Sequence, residues 1–200
     1  MKYHDPNSRA SDPGLVLLSE VKLFEIQPEL YSLALWQNIS PLLRCGNHDL
    51  RAEYRAKFAE HLHYGDSRAA LVVDAANAVA AAYTDELDCV VLLRFDPFLV
   101  RRYGWQNGTR LLTVNTYSRK KYGIAPDLTI GPNYLGRYGN FHPLIADLLT
   151  DERRPLNERK KQIAEEEWAR TAEFARQALA KRIPPRDGRP LLAEIPSISG

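Results

Sequence analysis

The chain has 200 residues and a formal net charge of +2, with 44% apolar and 26% charged residues. This length and composition fit one globular domain and exclude a wholly disordered chain, and the nearly balanced charge does not favour a nucleic-acid binder. No uninterrupted apolar run reaches about 18 residues, so no membrane span is predicted. The only cysteines, Cys45 and Cys89, are far apart, which excludes a disulfide framework or a CxxC zinc motif and predicts buried free thiols in a cytoplasmic protein.

The N-terminal third of the chain predicts an arm followed by helices. Residues 1–14 are polar and contain two Asp-Pro steps, which predicts a flexible arm. Residues 15–27 allow a strand or a helix. A helix is predicted to start near Pro28, and another runs from a cap at Asp49 to Gly65. The second helix is indicated by apolar side chains at every fourth position, namely Leu50, Tyr54, Phe58 and Leu62.

The middle of the chain predicts strands. In residues 69–83 alanine favours a helix, whereas the alternation of larger apolar residues favours a strand. The stretch "LDCVVLLRF" predicts a buried strand, and because only "TDELD" separates the two, we predict one long antiparallel hairpin. Asp96, Pro97 and Gly104 delimit a short helix. The turn "QNGT" then leads into a third strand, "RLLTVNTY".

The C-terminal part predicts more helix. "HPLIADLL" indicates a short helix, and residues 155–183 form the longest candidate, with an apolar stripe whose phase slips between Ile163 and Trp168. A straight helix of that length would span about 42 Å, so we expect it to kink or to pack on a second chain. Residues 184–200 predict an extended tail. The result is one α+β domain over residues 15–183, in which N-terminal helices and a long C-terminal helix flank a small, mainly antiparallel sheet.

The sequence carries no recognisable catalytic or cofactor motif. His61 and His63 lie two residues apart at a helix end, whereas ligands on one helical face need a spacing of three or four. We therefore predict no metal and no cofactor. Acidic residues near the strand ends could bind Mg²⁺, but turn capping explains them more simply; they are Asp74, Asp85, Glu86, Asp88 and Asp96.

A charged run, "ERKKQIAEEEWAR", is typical of a solvated helix face. The spacing of four predicts side-chain pairs between Lys161 and Glu165 and between Glu166 and Arg170. Such pairs stabilise an isolated helix and require no ligand.

The best candidate for a contact surface is the coil after the third strand. The stretch "TIGPNYLGRYGNFHP", residues 129–143, combines three glycines and two prolines with tyrosine, arginine and histidine, and we expect it to lie outward without regular structure. Tyrosine and arginine are enriched at binding hot spots. The predicted binding residues are Tyr117, Arg119, Lys121, Tyr134, Arg137, Tyr138, Asn140 and His142.

Two functions follow as hypotheses. In the first, the chain is an interaction protein that uses residues 115–142 to bind a partner protein and self-associates through its C-terminal helix. In the second, it is an enzyme for a phosphorylated or nucleotide-like molecule, in which Arg119, Lys121 and Arg137 hold the anion and His142 acts as acid or base. An enzyme needs a concave pocket, whereas an interaction surface can be flat. A third hypothesis, RNA binding, requires a strongly salt-dependent affinity.

Overall fold

The structure, a computed structural model, describes residues 12–28, 50–119 and 123–190. The helices in these ranges are α1 (Glu20–Ile26), α2 (Leu50–Tyr64), α3 (Pro97–Tyr103), α4 (Arg153–Gln162) and α5 (Glu165–Ala180). The strands are β1 (Asp66–Asp74), β2 (Val79–Thr84), β3 (Cys89–Arg94), β4 (Arg110–Arg119), β5 (Thr129–Ile130), β6 (Tyr138–Ile145) and β7 (Arg186–Asp187). A 3-10 turn (Ala146–Leu148) follows β6. None of the helices in these ranges is long and apolar enough to cross a bilayer.

The strands form one curled sheet in the order β5-β3-β2-β1-β4-β6, in which every neighbouring pair is antiparallel, and β7 adds a short parallel pairing to β3. The curl brings the two ends of the sheet together, because Arg186 in β7 donates a hydrogen bond to the carbonyl of Phe141 in β6 at 2.9 Å. The sheet is therefore a half-barrel. The predicted α+β class is confirmed, with N-terminal helices and a long C-terminal helix around a mainly antiparallel sheet.

The two faces of the half-barrel have different partners. On the outer face, α5 covers β1, β2 and β3 with Trp168, Phe174 and Ala175, all of which are buried. The inner face belongs to the largest hydrophobic cluster and carries alanines on β1 and β2, Ala70 and Ala80 among them. Small side chains on the inner face leave room for the strong curvature.

The predicted long hairpin is only partly correct. β2 and β3 do form an antiparallel hairpin, but residues 69–83 are not one strand. They divide between β1 and β2 at a turn in which Asp74 accepts hydrogen bonds from the backbone and side-chain nitrogens of Asn77. Ala78 has a left-handed φ of 55° there. The turn contains no glycine or proline, which is why its sequence did not reveal it.

Local signals around α3 predicted the structure correctly. The Asp96 carboxylate accepts a hydrogen bond from the amide of Phe98 at 2.7 Å, Pro97 occupies the first turn, and Gly104 ends the helix with a φ of 63°. Gly108, in the predicted turn before β4, has a φ of 85°. Both glycines adopt torsions that other L-residues rarely reach.

The long C-terminal helix is interrupted where the apolar phase slips. α4 ends at Gln162 and α5 begins at Glu165, so the expected kink is a complete break. The break changes the ion pairs: Lys161 pairs with Glu158, and Glu165 pairs with Arg110 instead of Lys161. The second predicted pair is also replaced, because Arg170 contacts Asp88.

The short helix predicted from "HPLIADLL" is wrong. The first half of this stretch, residues 142–145, belongs to β6, which pairs with β4 from Thr113 to Arg119, and Ala146–Leu148 forms a 3-10 turn. Pro143 is compatible with β6 because β6 is at the end of the strand order, where one side of the strand has no ladder partner.

At the N-terminal end, residues 15–27 resolve the strand-or-helix alternative in favour of α1, which Ser19 caps. The helix predicted to end at Gly65 is confirmed as α2. The helix predicted near Pro28 falls mainly on residues 29–49, outside the described residues, as do residues 1–11 and 191–200 of the predicted arm and tail. Residues 12–14 contact β1, with Pro13 bridging to Asp66.

Candidate functional site

The segment between β5 and β6, residues 131–137, is the outward part of the predicted contact surface, and we call it the tip loop. Pro132, Asn133, Leu135 and Arg137 are exposed, and Tyr134 is half-buried. Leu135 is 84% exposed, the highest value among the large apolar side chains that the structure describes. Leu135 therefore contributes little to packing among the described residues, and its side chain is accessible for contact with another molecule.

The first half of the tip loop is held by a buried acid. Asp88 is almost fully buried in the turn between β2 and β3. Its backbone carbonyl accepts from the amide of Gly131 at 2.7 Å, and its carboxylate accepts from the amide of Asn133 at 2.9 Å and from the hydroxyl of Tyr83 at 3.0 Å. Arg170 of α5 lies 3.3 Å from the same carboxylate. The charge is therefore paired and hydrogen-bonded, which makes its burial tolerable.

The second half of the tip loop is held by its own tyrosine. The hydroxyl of Tyr134 donates to the backbone carbonyl of Tyr138 at 2.7 Å, and between them Gly136 has a φ of 70°. This contact closes the loop onto the start of β6. Because both halves of the loop are hydrogen-bonded in place, a partner would meet an ordered loop at a low entropic cost.

The rings of Tyr117 and Tyr138 stack inside the half-barrel. Their centroids are 5.0 Å apart with an interplanar angle of 27°, and the Arg137 guanidinium lies 5.9 Å from the Tyr138 ring. Tyr138 is only 9% exposed and Phe141 is fully buried. The expectation that residues 129–143 form an irregular outward coil is therefore wrong at both ends. Thr129 and Ile130 form β5 beside β3, and from Tyr138 onward pairing with β4 draws the segment into the sheet.

Asn140 belongs to an electrostatic contact that joins the ends of the sheet. The Arg186 guanidinium makes two bonds to the carboxylate of Asp127, and it also donates to the side chain of Asn140 at 2.7 Å and to the carbonyl of Phe141. We call these four residues the clasp. The Arg186 charge contributes to keeping the pKa of Asp127 below its usual range. Asn140 therefore has a structural role in closing the half-barrel.

His142 lies on the other face of β6 from Phe141, because neighbouring residues of a strand point to opposite faces. Its Nε2 is 2.7 Å from the hydroxyl of Ser118. Burial, and secondarily the charge of Arg186, lowers the pKa of His142 to about 4. Burial also lowers the pKa of His61 to about 4, and the Nε2 of His61 donates to the carbonyl of Val114 at 2.9 Å. Both imidazoles are neutral near pH 7.

The structure brings together only part of the predicted site. Tyr117, Tyr138 and Arg137 form one group, whereas His142 faces the opposite side of β6. Lys121 and the side chain of Arg119 lie outside the described residues. The anion site of the enzyme hypothesis needs Arg137 and His142 to converge, and their placement does not support that arrangement.

Sequence analysis missed a polar network at the end of the half-barrel where Tyr117 lies. The Tyr117 hydroxyl donates to Asp66 at 2.8 Å and lies 2.8 Å from the hydroxyl of Thr84. Arg68 lies 3.1 Å from Asp66 and 2.6 Å from Asp85. Burial raises the pKa of Asp66 to about 7, against the opposing effect of the Arg68 charge. The sequence "DSR" could have indicated this network, because an acid and a base two residues apart on a strand lie on the same face of the sheet.

The other acidic residues near the strand ends have local structural roles. Asp74 and Asp96 cap a turn and a helix, and Asp88 supports the tip loop. In the part of the chain that the structure describes, no group of three or more histidine, cysteine or acidic side chains could hold a metal ion. Cys89 is a buried free thiol whose pKa burial raises to about 12, and Cys45 lies outside the described residues.

The apolar stripe of the C-terminal helix is largely used within the chain. Trp168, Phe174, Ala175 and Ala178 are buried against the sheet, while Leu179 is half-exposed. Self-association through this helix stays a prediction. Few of its apolar side chains remain exposed to form a dimer interface.

Comparison with known proteins assigns no family to this chain. No protein-family model matches it, and no curated protein and no solved structure matches it. What the chain does has to be inferred from the contacts, exposure and charges of its own residues.

Proposed function

We propose that this protein is a binding module that contacts a partner protein through the tip loop, residues 131–137. Leu135 would enter an apolar pocket of the partner, and Arg137 would pair with a carboxylate at the rim of that pocket. The Tyr138 ring lies 5.9 Å from the Arg137 guanidinium, and Tyr134 ties the loop to the start of β6. The partner surface that fits is therefore apolar at its centre and acidic at its edge.

One observation carries this proposal: a strongly exposed leucine at the tip of a loop that is held by hydrogen bonds at both ends. Exposed apolar residues are common on protein surfaces and need no explanation by themselves. In the tip loop, however, a buried carboxylate, Asp88, and a tyrosine hydroxyl, Tyr134, fix the backbone around Leu135. Binding energy tends to concentrate in a few such anchors, which cost little to order on association.

A photo-crosslinking experiment tests the proposal in cells. A photoreactive amino acid replaces Leu135 in one variant and Phe98 in a matched control, since Phe98 is also a large exposed apolar residue, 52% exposed on α3. We expect the probe at position 135 to capture one discrete protein that the probe at position 98 does not capture. A captured second copy of this chain would instead support self-association through the loop.

The captured partner is then purified, and its affinity is measured by calorimetry. Leu135→Asp should weaken binding by about tenfold or more, the effect of a moderate hot spot, whereas Phe98→Asp should leave it within about twofold. Arg137→Glu should weaken binding and reduce its dependence on salt. If Leu135→Asp binds as tightly as the wild type, the tip loop is not the contact surface.

A further inference from the structure

A second surface, far more basic than the tip loop, lies between α4, the beginning of β4 and the beginning of α5. It is an open cleft of about 770 Å³. Its lining residues are Arg110, Arg153, Arg154, Asn157, Glu158, Lys160, Lys161, Ile163 and Glu165. We call it the basic cleft, because five of these nine residues are cationic and two are acidic.

Two arginines of the basic cleft lie at the N-terminus of α4, where a positive charge is electrostatically unfavourable. Arg153 and Arg154 are exposed in the first turn of α4, which contains no acidic residue. The partial positive charge of a helix N-terminus disfavours cations there. Glu152, which precedes the helix, makes no capping bond, and its carboxylate instead accepts from the amide of Leu17 at 2.7 Å. Neither arginine forms a close ion pair with a described residue. The charge of Arg154 acts on the nearby Glu158 carboxylate, whose main partner is Lys161, so both guanidinium groups can still bind an anion.

A third arginine is held in position at the cleft. The guanidinium of Arg110 lies 4.9 Å above the ring of Trp168, which is buried. Its two terminal nitrogens bond the two carboxylate oxygens of Glu165, one of them at 2.6 Å. Glu165 is 72% exposed, so this pair contributes little stability. A stronger anion could replace the Glu165 carboxylate on the Arg110 fork.

The shape and composition of the cleft narrow the class of ligand. Arg153 and Lys161 are eight residues apart on α4, about 12 Å along the helix axis. An anion with several charged groups along its length matches this spacing better than a single tetrahedral anion does. Among the residues that the structure describes, no aromatic side chain lines the cleft, and none of them would stack on a base there. Glu165 and Glu166, at the start of α5, limit the basic area on one side and would repel a long polyanion.

We propose that the basic cleft binds a compact polyphosphate group, as carried by inorganic polyphosphate or by the phosphate chain of a small molecule. Arg153 and Arg154 hold one end of the phosphate chain with their guanidinium groups. Arg110 and Lys161 hold the other end. Glu165 competes with the ligand for Arg110, and Glu158 competes with it for Lys161. This site is separate from the tip loop and is independent of its function.

Calorimetric titration of the full chain with sodium tripolyphosphate tests the proposal. We expect saturable binding that weakens with salt, and at least about tenfold weaker binding of inorganic phosphate, which cannot span the cleft. Arg153→Gln/Arg154→Gln should weaken tripolyphosphate binding by at least about tenfold, since each arginine donates charge-assisted hydrogen bonds. Glu165→Gln should strengthen it several-fold, because the competitor for Arg110 has lost its charge.

The matched control is Arg101→Gln/Arg102→Gln, which removes two adjacent arginines from α3, outside the cleft. It makes the same change in net charge and should alter the affinity by less than about twofold. If the two double variants lost the same affinity for tripolyphosphate, the ligand would be bound by the net positive charge of the protein and not by the cleft, which would overturn the proposal. It would also be overturned if phosphate bound as tightly as tripolyphosphate, if a duplex oligonucleotide bound more tightly, or if Glu165→Gln weakened binding.

Discussion

Replacing Asp66 with asparagine should change how the stability of this protein depends on pH. Asp66 is 3% exposed, and its Oδ2 accepts the hydroxyl of Tyr117 at 2.8 Å. Its Oδ1 lies 3.1 Å from Arg68 without the alignment of a hydrogen bond. Burial therefore outweighs the charge of Arg68 and raises the pKa of Asp66 to about 7. Asparagine keeps an acceptor for Tyr117 but cannot titrate.

The direction and size of the effect follow from proton linkage. The folded state binds the Asp66 proton more tightly than the unfolded state, so the stability contributed by that proton is complete below pH 3.8 and lost as the pH rises to about 7. At about 1.4 kcal/mol per pH unit, the loss approaches about 4 kcal/mol. The free energy of unfolding of Asp66→Asn, relative to wild type, should therefore increase by up to this amount over the same interval.

Urea denaturation followed by tryptophan fluorescence, in steps from about pH 3.5 to about pH 8, measures this difference. At the acidic end the folded wild type carries the Asp66 proton and the unfolded wild type is mostly protonated, so the difference there reports mainly the substitution itself. A difference between the variants that does not change with pH would mean that burial leaves the acid unperturbed. A difference that decreases with pH would mean that the attraction of Arg68 exceeds the cost of burial.

Three further predictions concern other buried or capping groups. His61 and His142 have pKa values lowered to about 4, so an NMR titration of the imidazole nitrogens should find both rings neutral at about pH 5.5. Because the unfolded chain binds these protons more tightly, the free energy of unfolding should be unaffected above about pH 6.5 and should fall as the pH falls toward 4. A ring titrating near 6.5 would contradict its burial. Arg186→Ala removes the central cation of the clasp and should lower the free energy of unfolding, measured in urea, by about 2–3 kcal/mol. This loss is smaller than for a fully buried ion pair, because Arg186 and Asp127 are partly exposed. Arg186→Lys should recover part of the lost stability. Asp96→Ala should lower the free energy of unfolding by about 1 kcal/mol, because it removes the hydrogen bond that caps the amide of Phe98. An unchanged urea midpoint would show that Pro97 alone sets the start of α3.

The elements that the sequence predicted well depend on residues close together in the chain. Asp96 and Gly104 define the ends of α3 by contacts within a few residues, and Gly65 does the same for α2. The phase slip before Trp168 correctly marked a discontinuity in the last helix. By contrast, the turn between β1 and β2 depends on Asp74 and a left-handed alanine, which have no strong sequence signal.

The candidate sites were predictable only in part, for the same reason. The tip loop was visible as a cluster of glycine, proline, tyrosine and arginine, but the inward turn of Tyr138 depends on pairing with β4, about twenty residues earlier in the chain. The charged run that lines the basic cleft was interpreted as a solvated helix face. The sequence does not show that Arg110 lies near the end of α4, where it forms the ion pair with Glu165 that was predicted for Lys161.

The sequence by itself determined the class of the domain, the ends of α2 and α3 and the location of one exposed loop, because those features arise from local backbone preferences and from the periodicity of apolar residues. Only the tertiary structure decided which charges are paired, which rings are buried and where the two ends of the sheet meet. Asp66, Arg68 and Asp85 become one network, and Arg186 closes the half-barrel, because the chain folds strands that are distant in sequence into contact. Electrostatic environment depends on distances in space, and spacing along the chain does not fix them.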